Sequence, residues 1–533
     1  MRGTTATAVG TSWQLPIAIA IAMLASGCGL RKWADRGFKV GPDYCRPAAP
    51  VASEWIDYRE GAIKSEPADL SAWWTTLNDP VLDSLIANAY QQNLTLRVAG
   101  ARILQAQAAR GIAVGNMFPQ VQQATGDFAA VQVSRKTAFV PPQVWFREWS
   151  EGLTASWELD FWGRFRRAVE VADAELDASI EEYDDVLVVL LADVSTSYVQ
   201  MRIFQERLAY ARQNVTVQEG ILRIAEDRFR NGATTERDVL QAQQVLEQTR
   251  ASIAELEIGL RQANNLLCIL LGVPARDLTR ELPKQPVPQV PPELAVGIPA
   301  DLIRRRPDVR RAERDVAAQS ARIGIATAEF YPQISLNGVI QVSAEDFGDL
   351  FDTPESVFGS VGPSVRWNIL NYGRLLNNVR GQDARFEELV YRYQNQVLNA
   401  GREVEDAIVG YLRSQQQARH LAASVAAAAR SVQIADEQYR QGAIDFTSVY
   451  LLESILASQQ DQLAFARGNV PLNLIKVYRA LGGGWEMRLS PPSAAVPIPP
   501  EAPAQPEKLP ATPDVNENEN DRAPVPIPEP KEA

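Results

Sequence analysis

Two stretches of this chain share an unusual pattern: ASWELDFWGR at 155–164 and VRWNILNYGR at 365–374. In each, a Trp is followed five residues later by Trp or Tyr, and then by Gly-Arg. The two stretches lie 210 residues apart. Repetition at such a distance predicts that the chain contains two copies of one structural unit.

Other landmarks recur in the same order and extend the duplication over most of the chain. The later landmarks repeat at an offset of 210 residues and the first at 213. The sequence therefore predicts two units of about 210 residues each. The pairs are Phe118-Pro119-Gln120 with Tyr331-Pro332-Gln333, Trp157 with Trp367, Gly163-Arg164 with Gly373-Arg374, RFRNGA at 228–233 with QYRQGA at 438–443, and Leu271-Gly272 with Leu481-Gly482.

Each shared stretch lies at the end of a segment with alternating polarity. From 149 to 161 the odd positions are apolar, except Glu151, and the even positions are polar or small. Alternation of this kind predicts a β-strand with one apolar face, and 361–369 repeats it. Partner strands are expected at 121–134 and 334–343. The chain therefore offers four strands, two in each unit.

Long helical segments follow these strands. No proline interrupts 161–230, where apolar residues recur every three or four positions. About 70 residues at a rise of 1.5 Å per residue extend about 100 Å, which predicts a rod. Gly232 suits the helix end, and a returning helix is expected at 235–271. The second unit repeats this design with 374–440, Gly442 and 446–481, and amphipathic helices at 81–116 and 302–329 precede the two sets of strands.

The N-terminus has the features of a lipoprotein signal peptide. Ten mostly apolar residues at 15–24 are too few to span a bilayer and suit a signal-peptide core. Ala25-Ser26-Gly27-Cys28 resembles a lipobox, so we predict cleavage after residue 27 and acylation of Cys28. An ordinary signal peptide, or one that is not cleaved, is the alternative. At the other end, 13 of the 43 residues from Pro491 onward are proline, which predicts disorder.

Composition argues against several functional classes. The net charge is −12, which disfavours nucleic-acid binding, and the single histidine, His420, leaves few routes to His-based catalysis. The three cysteines are widely spaced, and we find no phosphate loop, metal cluster or nucleophile–base pair. We therefore predict no enzyme activity, no cofactor and no metal site. A soluble coiled-coil scaffold or a periplasmic enzyme is the rival class.

Four strands are too few to close a barrel that excludes lipid. An open sheet would leave unpaired edges, which a bilayer does not tolerate. Three copies of the chain would supply twelve strands in a ring with cyclic symmetry. The strand count therefore predicts a homotrimer.

Three segments carry a family resemblance: KVGPDYCRPAAP at 39–50, WWTTLNDPVLDSLI at 73–86 and YRALGGGW at 478–485. Together with the Phe-Pro stops and the Arg-x-Gly turns, they resemble the TolC-like outer-membrane efflux family, in particular its NodT-type lipoproteins of RND systems. The resemblance implies a mainly α fold with a membrane β-barrel: a trimeric channel-tunnel with twelve barrel strands and a periplasmic α-helical cylinder. Its partners would be a periplasmic adaptor and an inner-membrane RND pump.

The resemblance also implies a domain layout and a location. Residues 1–27 would be the signal peptide, 28–80 an extended segment and equatorial region, and 81–290 and 291–487 the two repeats, with 488–533 as the tail. The protein would lie in the outer membrane of a Gram-negative bacterium as a passive conduit for small molecules such as drugs or metals. A conduit for an ABC-coupled type I protein secretion system would have the same fold and is the alternative.

Three sets of residues are candidate sites besides the lipidation site Cys28. The tip turns would contact the adaptor, although plain helix capping also explains their glycines. A carboxylate or tyrosine near the second tip would form a gate, the alternative being ordinary solvated charge. Four tryptophans would form the aromatic belt of the barrel or simply pack at the strand–helix junction. The tips are Arg230, Asn231, Gly232, Ala233, Arg440, Gln441, Gly442 and Ala443; the gate candidates are Tyr439, Asp445 and Glu453; the belt candidates are Trp149, Trp157, Trp162 and Trp367.

Overall fold

A computed structural model describes residues 33–57, 63–64, 69–136, 142–283, 285–291, 294–295, 304–352 and 356–490. The predicted signal peptide at 1–27, the predicted lipidation site Cys28 and the proline-rich segment from residue 491 onward lie outside these ranges. All the described residues belong to one unit of the chain, Met1–Ser493.

Two very long helical hairpins dominate the described structure. Helices α3 (Arg164–Arg230) and α7 (Arg374–Arg440) have 67 residues each. The helices that return from them, α4 (Glu236–Leu270) and α8 (Phe446–Ala480), have 35 each. The order is β1 (Ile63–Lys64), α1 (Pro80–Gln92), α2 (Leu94–Gly115), β2 (Val121–Gln132), β3 (Trp145–Leu159), α3 (Arg164–Arg230), α4 (Glu236–Leu270), α5 (Leu278–Glu281), β4 (Leu294–Ala295), α6 (Pro307–Ala328), β5 (Gln333–Ala344), β6 (Val357–Arg366), α7 (Arg374–Arg440) and α8 (Phe446–Ala480).

The first amphipathic segment, 81–116, forms two helices rather than the one we expected. Asn93 separates α1 from α2, with φ −60° and ψ 125°. Its side-chain oxygen accepts a hydrogen bond from Leu96 N at 2.9 Å, and its amide nitrogen donates to Leu270 O at 2.9 Å. Asn93 therefore caps α2 and joins it to the end of α4. The break is an N-cap, for which asparagine is a preferred residue.

The four long strands form one antiparallel sheet in the order β2-β3-β5-β6. The central pairing of β3 with β5 joins the two halves of the chain, with Leu153 opposite Ile340 and Ser156 opposite Asn337. Both outer strands, β2 and β6, have one unpaired edge within this sheet. The number and the approximate positions of the strands agree with the sequence-based prediction.

The sheet has one apolar and one polar face. Leu153 and Ile340 lie opposite each other on the apolar face, and each is 63% exposed. On the other face, the Ser156 hydroxyl lies 2.7 Å from Asn337 Oδ1, and the Asn337 amide donates to the Ser364 hydroxyl at 2.7 Å. This polar row crosses three strands. The alternation in the sequence therefore produces an amphipathic sheet, as period-two patterning requires.

The hydrophobic core lies where the long helices contact the shorter ones. Trp73 is almost fully buried and stacks on Tyr478 of α8, with ring centroids 5.2 Å apart. Leu187 and Leu191 of α3 are also buried. Helix α3 contains an 18-residue window apolar enough to cross a membrane, but 72% of that window is buried inside the protein. Such burial is typical of a core helix.

The segment that follows residue 32 packs against the junction between sheet and helices. Val40 N donates to Trp162 O at 3.1 Å. Arg167, which is almost fully buried, donates to Val40 O at 3.2 Å and to an Asp43 carboxylate oxygen at 2.9 Å. Gly41 has φ +86°, and a side chain there would meet the backbone of Gly324. The segment therefore lies in a close-fitting groove between α3 and α6.

Candidate functional site at the helical tips

The two hairpins turn in the same way. Gly232 and Gly442 have φ of +70° and +77°, values that favour glycine. Ala233 N donates to Arg228 O at 2.8 Å, and Ala443 N donates to Gln438 O at 2.9 Å. These bonds satisfy carbonyl groups that the helix ends would otherwise leave open, as in a Schellman motif. The capping interpretation of the two glycines is therefore consistent with their geometry.

The polar residues of both turns face outward. The side chains of Arg230 and Arg440 are 70% and 63% exposed. Among the described residues their ion pairs lie within their own helices, with Asp227 at 3.0 Å and Asp436 at 2.8 Å. Asn231, Ala233, Gln441 and Ala443 are also exposed. Exposed pairs of this kind contribute little to stability, so these side chains are free to contact a partner.

Just behind the turns, the two hairpins share a small hydrophobic core. Tyr439 and Phe446 of the second hairpin are buried, with ring centroids 5.7 Å apart. Ala225 of α3 and Ala242 of α4 belong to the same cluster. The cluster places Tyr439 between helices of one chain, with its hydroxyl group lacking a hydrogen-bond partner among the described residues.

Arg228 links the hairpins across this core. Its guanidinium carbon lies 4.1 Å from the centroid of the Tyr439 ring, and Nη2 donates to Tyr439 O at 2.7 Å. A second contact joins Nη2 to Arg440 O at 3.4 Å. The cation therefore contacts both an aromatic face and the carbonyl end of α7, and the helix dipole favours positive charge at that end.

The two candidate carboxylates have different environments. Asp445 is exposed and caps α8, accepting hydrogen bonds from Ser448 N at 3.2 Å and from the Ser448 hydroxyl at 2.6 Å. These bonds stabilise the carboxylate and lower the pKa of Asp445. Glu453 instead packs among helices of its own chain, where burial, and then the charge of Asp436, raise its pKa.

Glu453 shares its surroundings with an unusual glutamine. A space of about 20 Å³ lies between Gln218, Ala242, Val449 and Glu453, among others. Gln218 is buried, and neither its side-chain oxygen nor its nitrogen has a hydrogen-bond partner among the described residues. The space is just large enough for one water molecule. Polar groups are therefore enclosed within an otherwise apolar part of the tip.

The repeated tryptophans perform the same task in both halves. Trp157 Nε1 donates to Met117 O at 3.1 Å, and Trp367 Nε1 donates to Phe330 O at 2.9 Å. Each acceptor directly precedes the Phe-Pro or Tyr-Pro stop. Each indole thus ties the end of a strand to the end of the amphipathic helix that leads into the sheet. The repeated Trp therefore makes the same hydrogen bond, from its indole to a backbone carbonyl, in both units.

The other two tryptophans of the proposed belt also make specific contacts. Trp149 packs against Phe128, with ring centroids 4.4 Å apart, and against Phe347 at 5.1 Å. Trp162 stacks on Tyr331 at 4.5 Å and donates to Pro332 O at 2.9 Å. Trp149 is therefore in the sheet, whereas Trp162 lies at the junction with α3.

Sequence reasoning did not single out Arg228, although a signal was available. Arg228 and Phe229 correspond to Gln438 and Tyr439 in the duplication. The two tips therefore differ at these two neighbouring positions. The first position supplies Arg228 in the first tip, and the second supplies Tyr439 in the second tip; these two residues contact each other in the structure. The described residues contain no group of three or more His, Cys, Asp and Glu side chains suited to a metal ion.

A four-stranded amphipathic sheet continuous with two long helical hairpins is the architecture of an outer-membrane channel subunit. The outer-membrane channel OprN matches the chain with a TM-score of 0.78 at 31% identity, covering 84% of this chain and 99% of OprN. The Rhizobium leguminosarum bv. trifolii protein named Nodulation protein T is 32% identical over 81% of this chain and 91% of its own length. The Escherichia coli O6:H1 cation efflux system protein CusC is 29% identical over 89% of this chain and 98% of its own.

The family model named outer membrane efflux protein matches residues 85–273 and 298–483. The chain belongs to the outer membrane efflux protein family. The names of its relatives describe outer-membrane transport, as in the outer-membrane channel OprN and the cation efflux system protein CusC. The two matched segments correspond to the two halves that the repeated sequence landmarks define.

Proposed function

We propose that this chain is the outer-membrane component of a tripartite, RND-type efflux system. It provides a passive conduit that carries small molecules from a pump and its adaptor across the periplasm and the outer membrane. Energy comes from the pump, and this chain supplies the conduit. The cation efflux system to which CusC belongs supports small solutes such as metal ions as cargo. The long helical hairpins give the conduit its reach, since 67 residues extend about 100 Å.

The amphipathic sheet is the observation that carries this proposal. Its apolar face leaves Leu153 and Ile340 exposed, while the opposite face has the Ser156–Asn337–Ser364 row. An apolar outer face with a polar inner face is what a membrane strand around a wet lumen requires. A helical scaffold in solution needs neither face.

The open sheet edges support a homotrimer. Strands β2 and β6 each have an unpaired edge, and only a closed barrel removes such edges in a bilayer. Three copies supply twelve strands, with β6 of each copy beside β2 of the next. The helical hairpins then form one cylinder, and the pumped solute passes along its axis.

The tips are the proposed adaptor contact. They present Arg230, Asn231, Arg440 and Gln441 at the far end of the hairpins, where an end-on partner must dock. Behind them, Tyr439 and its contact with Arg228 hold the hairpins together and restrict the opening. In our proposal Asp445 lines the entrance of the channel at the tips. Glu453 is buried in the hairpin core, and it influences the gate through the packing of the hairpins.

The remaining assignments complete the proposal. Residues 1–27 are removed, Cys28 is acylated, and 28–80 connects the lipid to the equatorial region. The two repeats are 81–290 and 291–487, and the tail is 488–533. Trp149, Trp157, Trp162 and Trp367 form an aromatic girdle near the membrane surface.

Imaging of the detergent-purified full-length particle tests the conduit directly. We expect a hollow cylinder with three-fold symmetry, and a folded, monodisperse monomer in lipid would contradict the proposal. Co-purification identifies the energy source. An adaptor that brings an RND pump agrees with the proposal, whereas an ABC transporter would favour type I protein secretion.

A further inference from the structure

A short 3₁₀ helix, Phe347–Phe351, lies in the connection between β5 and β6. We call it the aromatic turn. Phe347 is 51% exposed and Phe351 is 67% exposed, and their ring centroids lie 5.8 Å apart. Neighbouring exposed phenylalanines form a contiguous apolar patch, and such a patch is a candidate surface for a partner or a lipid.

The aromatic turn packs against the apolar face of the sheet. The ring centroid of Phe347 lies 5.1 Å from that of Trp149 in β3, and Trp149 in turn packs on Phe128 of β2 at 4.4 Å. Trp149 lies four residues before Leu153, so both side chains project from the same face of the strand. The turn therefore folds over that face, which is the lipid side in the proposed barrel.

The charges of the turn lie along one edge of it. Asp349 N donates to Asp346 O, and Asp352 N donates to Asp349 O, both at 3.1 Å. Side chains three residues apart eclipse each other in such a helix, so the three exposed carboxylates share an edge. Phe347 and Leu350 share the next edge for the same reason. The turn is therefore amphipathic.

Hydrogen bonds hold the turn in this position. The Ser356 hydroxyl donates to Leu350 O and to Asp352 O, each at 3.2 Å. Ser343 N, near the end of β5, donates to Ser356 O at 3.0 Å. Because these bonds fix the turn before any contact forms, little conformational entropy is lost when its phenylalanines meet a partner.

Trp149 also indicates the height of the turn in the barrel. Eight residues separate it from Trp157, which bonds to the end of α2. At about 3.4 Å per residue and a tilt of about 40°, this separation is about 20 Å along the barrel axis. The apolar band of an outer-membrane barrel is about 25 Å tall. The aromatic turn therefore lies near the outer surface of the membrane if the helices extend into the periplasm.

The position of the patch in the sheet favours lipid as its occupant. The turn extends from β5 and packs on β3, and these strands are the central pair of the sheet. In the proposed trimer, neighbouring copies pair at the outer strands, β2 and β6. Lipid, by contrast, is continuous with the whole apolar face. The acidic edge also suits a membrane surface, where water and headgroups surround the charges.

We propose that the aromatic turn inserts into the outer leaflet and anchors the β5–β6 connection to the membrane. Phe347 and Phe351 contact lipid, and the carboxylates of Asp346, Asp349 and Asp352 face water and headgroups. The turn is thereby held away from the mouth of the barrel. This inference rests on the proposed conduit and assigns a lipid contact outside its strands.

A fluorophore attached to a single cysteine tests the contact. We use full-length protein with Cys45→Ser, because Cys45 is the exposed thiol among the described residues. Phe351→Cys is labelled with the environment-sensitive dye NBD and reconstituted into phosphatidylcholine vesicles. We expect an emission that is shifted to shorter wavelength and is quenched by nitroxide-labelled lipids, but not by iodide in the water.

Two other label sites serve as matched controls. Phe358 is also an exposed phenylalanine, at 58%, but it pairs with Gln341 on the polar face of the sheet. Asp349 belongs to the acidic edge of the same turn. Labels at Phe358→Cys and Asp349→Cys should be quenched by iodide and much less by nitroxide lipids.

Gly348→Cys provides a second label on the lipid side. A side chain there would meet nothing within 4 Å, and Gly348 lies three residues before Phe351, on the same edge. If Phe351→Cys fails to fold, the label at 348 decides.

The outcomes separate this inference from the proposed function. Nitroxide quenching at 351, with iodide quenching at 349 and 358, supports the anchor. Iodide quenching at 351 places the turn in water and overturns the anchor, but leaves the conduit intact. Protection of 351 from both quenchers means that protein covers the turn, which also overturns the anchor. Nitroxide quenching at 358 places lipid on the polar face and overturns both the anchor and the proposed conduit.

Discussion

At the scale of single residues, Arg228 of the first hairpin contacts Tyr439 and the carbonyl end of α7 in the second hairpin. Replacing it with alanine removes a ring contact and a hydrogen bond to the end of α7. We expect the free energy that holds the two hairpins together at the tips to fall by about 1–3 kcal/mol. Hydrogen exchange at 225–245 and 435–450 should accelerate. Arg230→Ala is the control, since its exposed ion pair with Asp227 contributes little; equal exchange in the two variants would contradict this role.

Glu453 makes the stability of the tip depend on pH. Burial, together with Asp436, raises its pKa, so the folded state binds the proton more tightly than the unfolded state does. The stabilisation is complete below the ordinary glutamate pKa of about 4.3 and is lost as the pH rises through the raised value. We therefore expect larger hydrogen-exchange protection factors around Glu453 at acidic pH than at pH 7.5, once the rates are corrected for the intrinsic pH dependence of amide exchange.

Glu453→Gln should remove this dependence, because glutamine does not titrate. The variant should be at least as stable as the wild type at pH 7.5, where the wild type must bury a charge. Glu437→Gln, at an exposed position on α7, is the matched control and should keep the wild-type profile. An unchanged pH profile in Glu453→Gln would assign the effect to another group.

At the scale of elements, the repeated indoles join each strand to the helix that precedes its hairpin. Trp157→Phe keeps the aromatic ring but leaves Met117 O without its donor. We expect a loss of about 1 kcal/mol in the free energy of unfolding. Trp367→Phe should cost less, because that side chain is 55% exposed and water can replace the bond. Chemical denaturation in detergent measures both, and a larger loss at Trp367 would contradict the argument.

At the scale of the whole molecule, the two faces of the sheet should respond differently to charge. Leu153→Arg places a cation on the apolar face, where lipid is expected, at a cost of about 2–4 kcal/mol. Thr154→Arg places the same charge on the opposite face, toward the lumen. We expect only the first variant to reduce the trimer recovered from outer membranes. Equal recovery of both would argue that the apolar face does not meet lipid.

Much of the fold could be predicted because its signals are local. Alternation at 149–161, the absence of proline at 161–230 and the glycines at 232 and 442 depend on neighbours along the chain. The structure has α3 ending at Arg230 and α7 spanning Arg374–Arg440, in agreement with those signals. The break at Asn93, which divides the expected helix at 81–116 into two, was not predicted. A single asparagine within an amphipathic pattern does not reveal that Leu270 O will accept its amide.

The candidate site was predicted less completely, because its contacts join residues far apart in sequence. Asp445 and Glu453 look alike in the sequence, yet one caps a helix in solvent and the other is buried. Nothing in the sequence marks Arg228 until the fold brings the end of α3 to Tyr439 at the end of α7. Burial and charge neighbours depend on which helix faces meet, and a period of 3.6 residues does not fix that choice.

By itself, the sequence determined the duplication, the strands, the rods and the turns, since hydrophobic period and backbone preference act over a few residues. Only the tertiary structure decided that β3 pairs with β5, that Trp157 and Trp367 bond to carbonyls forty and thirty-seven residues away, and that Gln218 and Glu453 share a buried space. Those features require packing between distant segments, where shape and desolvation select one arrangement among many with the same local pattern.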